Sequence, residues 1–118
     1  MVLPLEKTAW INLLFDFYGQ LLTERQNAAI ELYYGQDFSL KEIADEVSVS
    51  RQAVHVNLKR AEKLLAGYEE KLGLVAKFLD EKGKLREMAD LLDSCQRDGE
   101  SGNYRRAREI LSDLLLDT

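Results

Sequence analysis

The chain alternates short apolar sets at helical spacing with polar breaks, and nowhere shows the strict two-residue alternation of a strand. From Leu5 to about Tyr18, Ala9, Trp10, Ile11, Leu13, Leu14, Phe15, Phe17 and Tyr18 cover most of a helical circumference, which predicts a helix buried on several sides. Gly19 to Leu22 is a short connection. Thr23 with Gln26 has the spacing of a capping box, opening a second helix through Ala28, Ala29, Leu32 and Tyr33 that stops near Gly35. After Gln36-Asp37-Phe38, Ser39 with Glu42 repeats the box, and Phe38 is placed to staple onto Ile43. Ile43, Ala44 and Val47 give this third helix one apolar face, with Ala44 small enough for close crossing. Ser48-Val49-Ser50 breaks the pattern. Ser50 is a good N-cap, Val49 can staple onto Val54, and a fourth helix buries Val54, Leu58 and Ala61. Helix, three-residue turn and helix over Ser39–Ala61 predict a helix-turn-helix. Where such turns commonly place Gly, this chain has Ser48, and a left-handed Ser costs roughly 1 kcal/mol more than Gly.

From Val54 onward, Val54, Leu58, Ala61, Leu65, Tyr68, Leu72, Val75 and Leu79 are spaced alternately by four and three, a heptad seam. It predicts a long helix leaving the recognition helix and pairing with another helix or a second copy of the chain, with Gly67 and Gly73 as sites for a bend or break. Beyond Gly83, Leu85, Met88, Ala89 and Leu92 continue an amphipathic helix towards Cys95. Asp98–Asn103 has the composition of a loop. Tyr104, Ala107, Ile110, Leu111, Leu114 and Leu115 form the apolar side of a final helix whose other side carries Arg105, Arg106 and Arg108. The expected fold is all-α, with a helix-turn-helix bundle over 1–66 and a C-terminal helical extension over 67–118.

Composition adds constraints. Pro occurs only at position 4, and the wealth of Leu, Ala, Glu and Lys suits helices. The apolar runs are too short and too interrupted by charge for membrane insertion, and MVLPLEK lacks the basic region of a signal peptide, so a cytoplasmic protein is expected. The one Cys, Cys95, removes any internal disulfide and reads as a small packing residue. With one His, no Gly-rich phosphate loop and no spaced ligand set, neither an enzyme, a metal site nor a cofactor is expected. Tyr18, Tyr33 and Tyr34 read as packing residues with exposed hydroxyls.

The exposed side of the fourth helix carries Arg51, Gln52, His55, Lys59 and Arg60, residue types that reach base edges and phosphates from a major groove. From Ser50 to Lys63, Arg51, Lys59, Arg60 and Lys63 face only Glu62, a local charge of +3 within a chain of net charge −5. Glu42, Asp45 and Glu46 precede this helix and weaken its pull on a phosphate backbone. The expected partner is therefore DNA, held with modest and salt-sensitive affinity, or a protein bound by the same tri-helical unit.

Glu42-Ile43-Ala44, Ser50, Val54 and Leu58-Lys59-Arg60-Ala61 resemble region 4 of bacterial sigma factors, although the promoter-melting region has no counterpart here. A longer resemblance covers Asn12 to about Leu74. NLLFDFY, LLTERQ, ELYYGQDFSLKEIA and VSRQAV followed by NLKRAE are similar to the YlxM family of small helix-turn-helix proteins. That family has an aromatic and an acidic residue where this chain has His55 and Val56, while Arg51, Gln52, Lys59 and Arg60 match. Beyond Leu74 the resemblance fades. It implies an accessory role in the signal recognition particle pathway, on the targeting GTPase or its RNA, beside the alternative of a transcription regulator. A homodimer through the first helix and the heptad seam is also expected, because the chain carries more apolar surface than four short helices readily cover.

Overall fold

A computed structural model describes residues 4–98 and 101–116. Among these, six α-helices and no strands are found: α1 (Pro4–Tyr18), α2 (Glu24–Ile30), α3 (Leu40–Val47), α4 (Arg51–Leu72), α5 (Leu74–Asp98) and α6 (Ser101–Leu116). The all-α class is as the sequence predicts. The chain forms two compact units, residues 1–75 and 76–118, so α4 lies whole within the first.

In the first unit α4 is the common partner of α1, α2 and α3. Ile11, Leu14 and Tyr18 of α1, Ala29 and Ile30 of α2, and Leu58, Ala61 and Leu65 of α4 are buried in one core with Val75. Burial of each large aliphatic side chain among them contributes about 1.5–3 kcal/mol. A second cluster joins Ile43 and Ala44 of α3 to Val54, with Phe38, Leu40 and Val49 against it, so both staples are present. Both capping boxes form: the Thr23 hydroxyl accepts from the Gln26 N–H at 3.2 Å and the Ser39 hydroxyl from the Glu42 N–H at 3.1 Å, each answered by the partner side chain. Accepting from the Ser39 backbone N–H and bonding to its hydroxyl hold the Glu42 carboxyl below its ordinary value.

Between α1 and α2 the chain makes one 3-10 turn, Gly19–Leu21, whose Gly19 carbonyl accepts from Asn27 Nδ2 at 3.1 Å. A Cβ on Gly19 would lie 2.9 Å from the Phe15 ring, so a larger residue would force that ring aside. The second helix widens beyond Ile30 into a π-wound turn, Glu31–Gly35. This was not legible in the spacing, and Asn12 of α1 donates to the Tyr34 carbonyl there at 3.2 Å.

Ser48 adopts φ 56° and ψ 45°, the left-handed conformation that the turn requires. Since its Cβ opposes that conformation, Ser48→Gly should raise stability by about 0.5–1 kcal/mol, read as a higher urea midpoint at unchanged slope.

The heptad seam does not make one continuous helix. Gly67 passes inside α4 without a break, whereas Gly73, at φ 62°, ends it and donates its N–H to the Glu69 carbonyl at 2.8 Å. The reason is a side-chain clamp absent from the periodicity. The Tyr18 hydroxyl donates to Glu69 Oε1 at 2.6 Å, the same oxygen accepts from the Val75 N–H at 2.9 Å, and the Leu74 N–H donates to the Tyr18 hydroxyl at 3.1 Å. Two backbone donors left over at the start of α5 are thereby satisfied. Tyr18, expected to keep its hydroxyl in water, is instead 1% exposed. Most of the seam is also used inside the chain: Val54, Leu58, Ala61, Leu65 and Val75 are buried, while Leu72 and Leu79 are exposed.

Burial and the hydrogen bond to Glu69 push the Tyr18 phenol up, and burial beside Glu62 pushes Tyr34 far above its ordinary value. Both ionise less readily folded than unfolded. The stability this contributes is complete below about pH 10 and drains as pH rises through the raised values. On alkaline titration, the phenolate absorbance of these two of the five tyrosines should appear only as the helical signal is lost. Early ionisation of all five in a folded chain would contradict the clamp.

In the second unit Ala107 and Ile110 of α6 are buried as expected, but Tyr104 and Leu115, read as part of the same apolar side, are exposed. Arg106 reaches Glu87 at 3.5 Å. Of the loop read over 98–103, residues 99 and 100 lie outside the described residues, and Ser101, Gly102 and Asn103 are helical. A helix's first turn tolerates such residues because its N–H groups have no intrahelical acceptors.

Candidate nucleic-acid interface

The Ser39 cap fixes where α3 starts, the left-handed Ser48 turns the chain, and Ser50 fixes where α4 starts by accepting the Ala53 N–H at 3.0 Å. Val54 and Leu58 then anchor α4 by its inner face. What remains outward follows from about 100° of rotation per residue. Arg51, Gln52, His55 and Lys59 fall within roughly 100° of one another, and all four are exposed.

Leu40, Arg51, Gln52 and His55 line one shallow, open depression beside the start of α3. Among the described residues, the side chains of Arg51, Gln52 and His55 make no hydrogen bond or ion pair, so their donors are available. The positive end of α4's dipole adds to the attraction for an anion there.

The other two predicted contacts stand differently. Lys59 continues the stripe one turn beyond His55, but its Nζ lies 3.7 Å from Glu62 Oε2. Arg60 is exposed about 80° beyond Gln52 around the helix, away from the depression. The structure therefore gathers Arg51, Gln52 and His55, places Lys59 at their edge and leaves Arg60 apart. Asp45 and Glu46 are exposed on α3.

Glu62 is the residue that sequence reasoning undervalued, having entered only as one opposing charge. Its side chain is 12% exposed, and Lys7 of α1 reaches its Oε1 at 3.2 Å. The three-residue spacing of Lys59 and Glu62 was a legible signal. The approach of Lys7 was not, because it depends on how α1 packs against α4.

The family profile of YlxM / p13 like helix-turn-helix proteins, UPF0122, matches residues 5–103, a span that covers most of the chain and includes the positions of all five candidate contacts. The chain belongs to this family. It is 53% identical over 105 residues to a UPF0122 protein of Desulforamulus reducens, spanning 89% of this chain and 90% of the relative. It is 54% identical over 90 residues to the UPF0122 protein YlxM of Bacillus subtilis, spanning 74% and 82% of the two chains. A UPF0122 protein of Limosilactobacillus fermentum is 59% identical over 76 residues, 64% of this chain and 67% of the relative. The UPF0122 match runs on to residue 103, so the family pattern extends past Leu74 through α5 rather than ending there. No helix among the described residues of this YlxM-like chain is long and apolar enough to cross a membrane.

Proposed function

We propose that this chain is a non-enzymatic regulatory protein of the cytoplasm that binds double-stranded DNA by laying the first turns of α4 in a major groove. One observation carries the reading: Arg51, Gln52 and His55 are exposed together at the capped start of α4, with side chains that make no hydrogen bond or ion pair among the described residues. Arg51 and Gln52 are suited to bidentate contacts with guanine and adenine, and Lys59 to a phosphate. An A-form RNA duplex has a major groove too narrow for a helix, so B-form DNA suits this face better. The proposal includes a homodimer, supported by Trp10, Leu64 and Leu72 as exposed large apolar residues of the first unit and by the paired half-sites that helix-turn-helix dimers read. Selection of bound duplexes from a random pool, repeated at rising salt, tests the reading; recovery of no preferred sequence and no salt-dependent binding would count against it.

A second reading is favoured by the net charge of −5 and by exposed Asp45 and Glu46 on α3, which oppose a polyanion and so favour a protein partner. It takes the chain as an accessory factor of the signal recognition particle pathway, acting on the targeting GTPase or its RNA. Pull-down from a lysate treated with DNase, with RNase or with neither separates the two. A partner lost with DNase supports the first reading, and one lost only with RNase or retained after both supports the accessory role.

A further inference from the structure

Glu62 lies on α4 just beyond the proposed contacts, with a carboxylate largely withdrawn from water. Such a group requires compensating charge, because desolvation is costly unless partners offset it. Two ammonium groups supply it unequally. Lys7 Nζ lies 3.2 Å from Oε1, close enough for a charge-assisted hydrogen bond, whereas Lys59 Nζ lies 3.7 Å from Oε2, an ion pair too long for one. Oε2 is buried and has no hydrogen-bond partner. Burial, the neighbouring Glu62 charge and a hydrogen bond to Glu62 all push the Tyr34 phenol up, so the Tyr34 hydroxyl meets the same carboxylate as a neutral donor beside the two ammonium groups.

Lys59 is thus the looser of two partners and also the one that stands at the edge of the exposed stripe. About half of its side chain is accessible, at 56%, so it can turn outward without moving the backbone. What holds it is the charge on Glu62 left uncompensated by Lys7. We propose that Lys7 and Lys59 share one nearly buried carboxylate, and that Lys7, from α1 and outside the recognition face, sets how freely Lys59 leaves it for a nucleic-acid phosphate. The phosphate end of this chain of effects rests on the DNA reading above; the sharing does not.

The test uses the whole protein and two readouts. Without nucleic acid, the ammonium signals of 15N-labelled lysine are compared in wild type, Lys7→Ala and Glu62→Gln. The Lys59 signal should become more protected from exchange in Lys7→Ala, where it is the remaining partner, and be lost to exchange in Glu62→Gln. An unchanged Lys59 signal in Lys7→Ala overturns the sharing, and Lys7→Met replaces it should the alanine variant lose helical signal. With selected duplex DNA at low salt, Lys7→Ala should weaken binding about two- to fivefold and Glu62→Gln should strengthen it by a similar factor. The effect of Lys7→Ala should vanish in the Glu62→Gln background, and the gain from Glu62→Gln should vanish with Lys59→Ala. A loss on Lys7→Ala that persists without Glu62 would mean that Lys7 meets phosphate itself, which overturns the proposal. Expected lysine signals together with no DNA binding by any variant would support the sharing and refute the DNA reading.

Discussion

Replacing Leu65 by Lys should unfold the first unit, while the same replacement at Leu72, one heptad further along α4, should leave it folded. Leu65 is fully buried in the core shared by α1, α2 and α4, and Leu72 is 57% exposed. An ammonium at position 65 would lose the Leu packing and lie without a counter-charge in an apolar interior, a cost of about 5 kcal/mol. That approaches the whole stability of a small domain, roughly 5–15 kcal/mol. Circular dichroism against urea checks it, with Leu65→Lys showing no cooperative transition and Leu72→Lys a midpoint near wild type. Leu72→Lys then becomes the variant for the dimer. Sedimentation at micromolar concentration should give twice the chain mass for the wild type and a shift towards the monomer for Leu72→Lys, because its side chain is available to a second copy.

The contrast between these two leucines shows how much the sequence could tell. Elements set by local chemistry were legible: the Thr23 and Ser39 capping boxes, the Ser50 cap and the left-handed turn at Ser48 all follow from residues within four positions of one another. Periodicity also identified the buried line Val54, Leu58, Ala61 and Leu65. It could not say what covers that line, since a heptad spacing fits a second copy and a neighbouring helix of the same chain equally well. Gly67 and Gly73 were likewise equivalent as letters. Only the approach of Tyr18, 51 residues away from Glu69, decides that the chain breaks at Gly73. The five candidate contacts were legible as residue types on an exposed helix side, but their division was not. Arg60 separates from the others by rotation around α4, and Lys59 is held by a carboxylate whose burial depends on α1.

Arg51→Ala should weaken binding to a preferred duplex by about 1–3 kcal/mol, roughly five- to 150-fold, and relax the choice of base at one position. Its guanidinium stands at the capped end of α4 with its fork of donors available, and replacement by Ala removes a bidentate contact without touching the core. Lys59→Ala should instead weaken all sequences alike and reduce the salt slope by about one. Arg60→Ala should do less than either, because Arg60 faces away from the depression. These effects converge on one experiment. Anisotropy titrations of a selected duplex would compare wild type with a variant in which Arg51, Gln52, His55 and Lys59 are all Ala, after matching their helical signals and unfolding midpoints. Saturable wild-type binding that falls by about a hundredfold or more in the variant is the predicted result; equal affinity in the two proteins, or no duplex bound by the wild type, would contradict it.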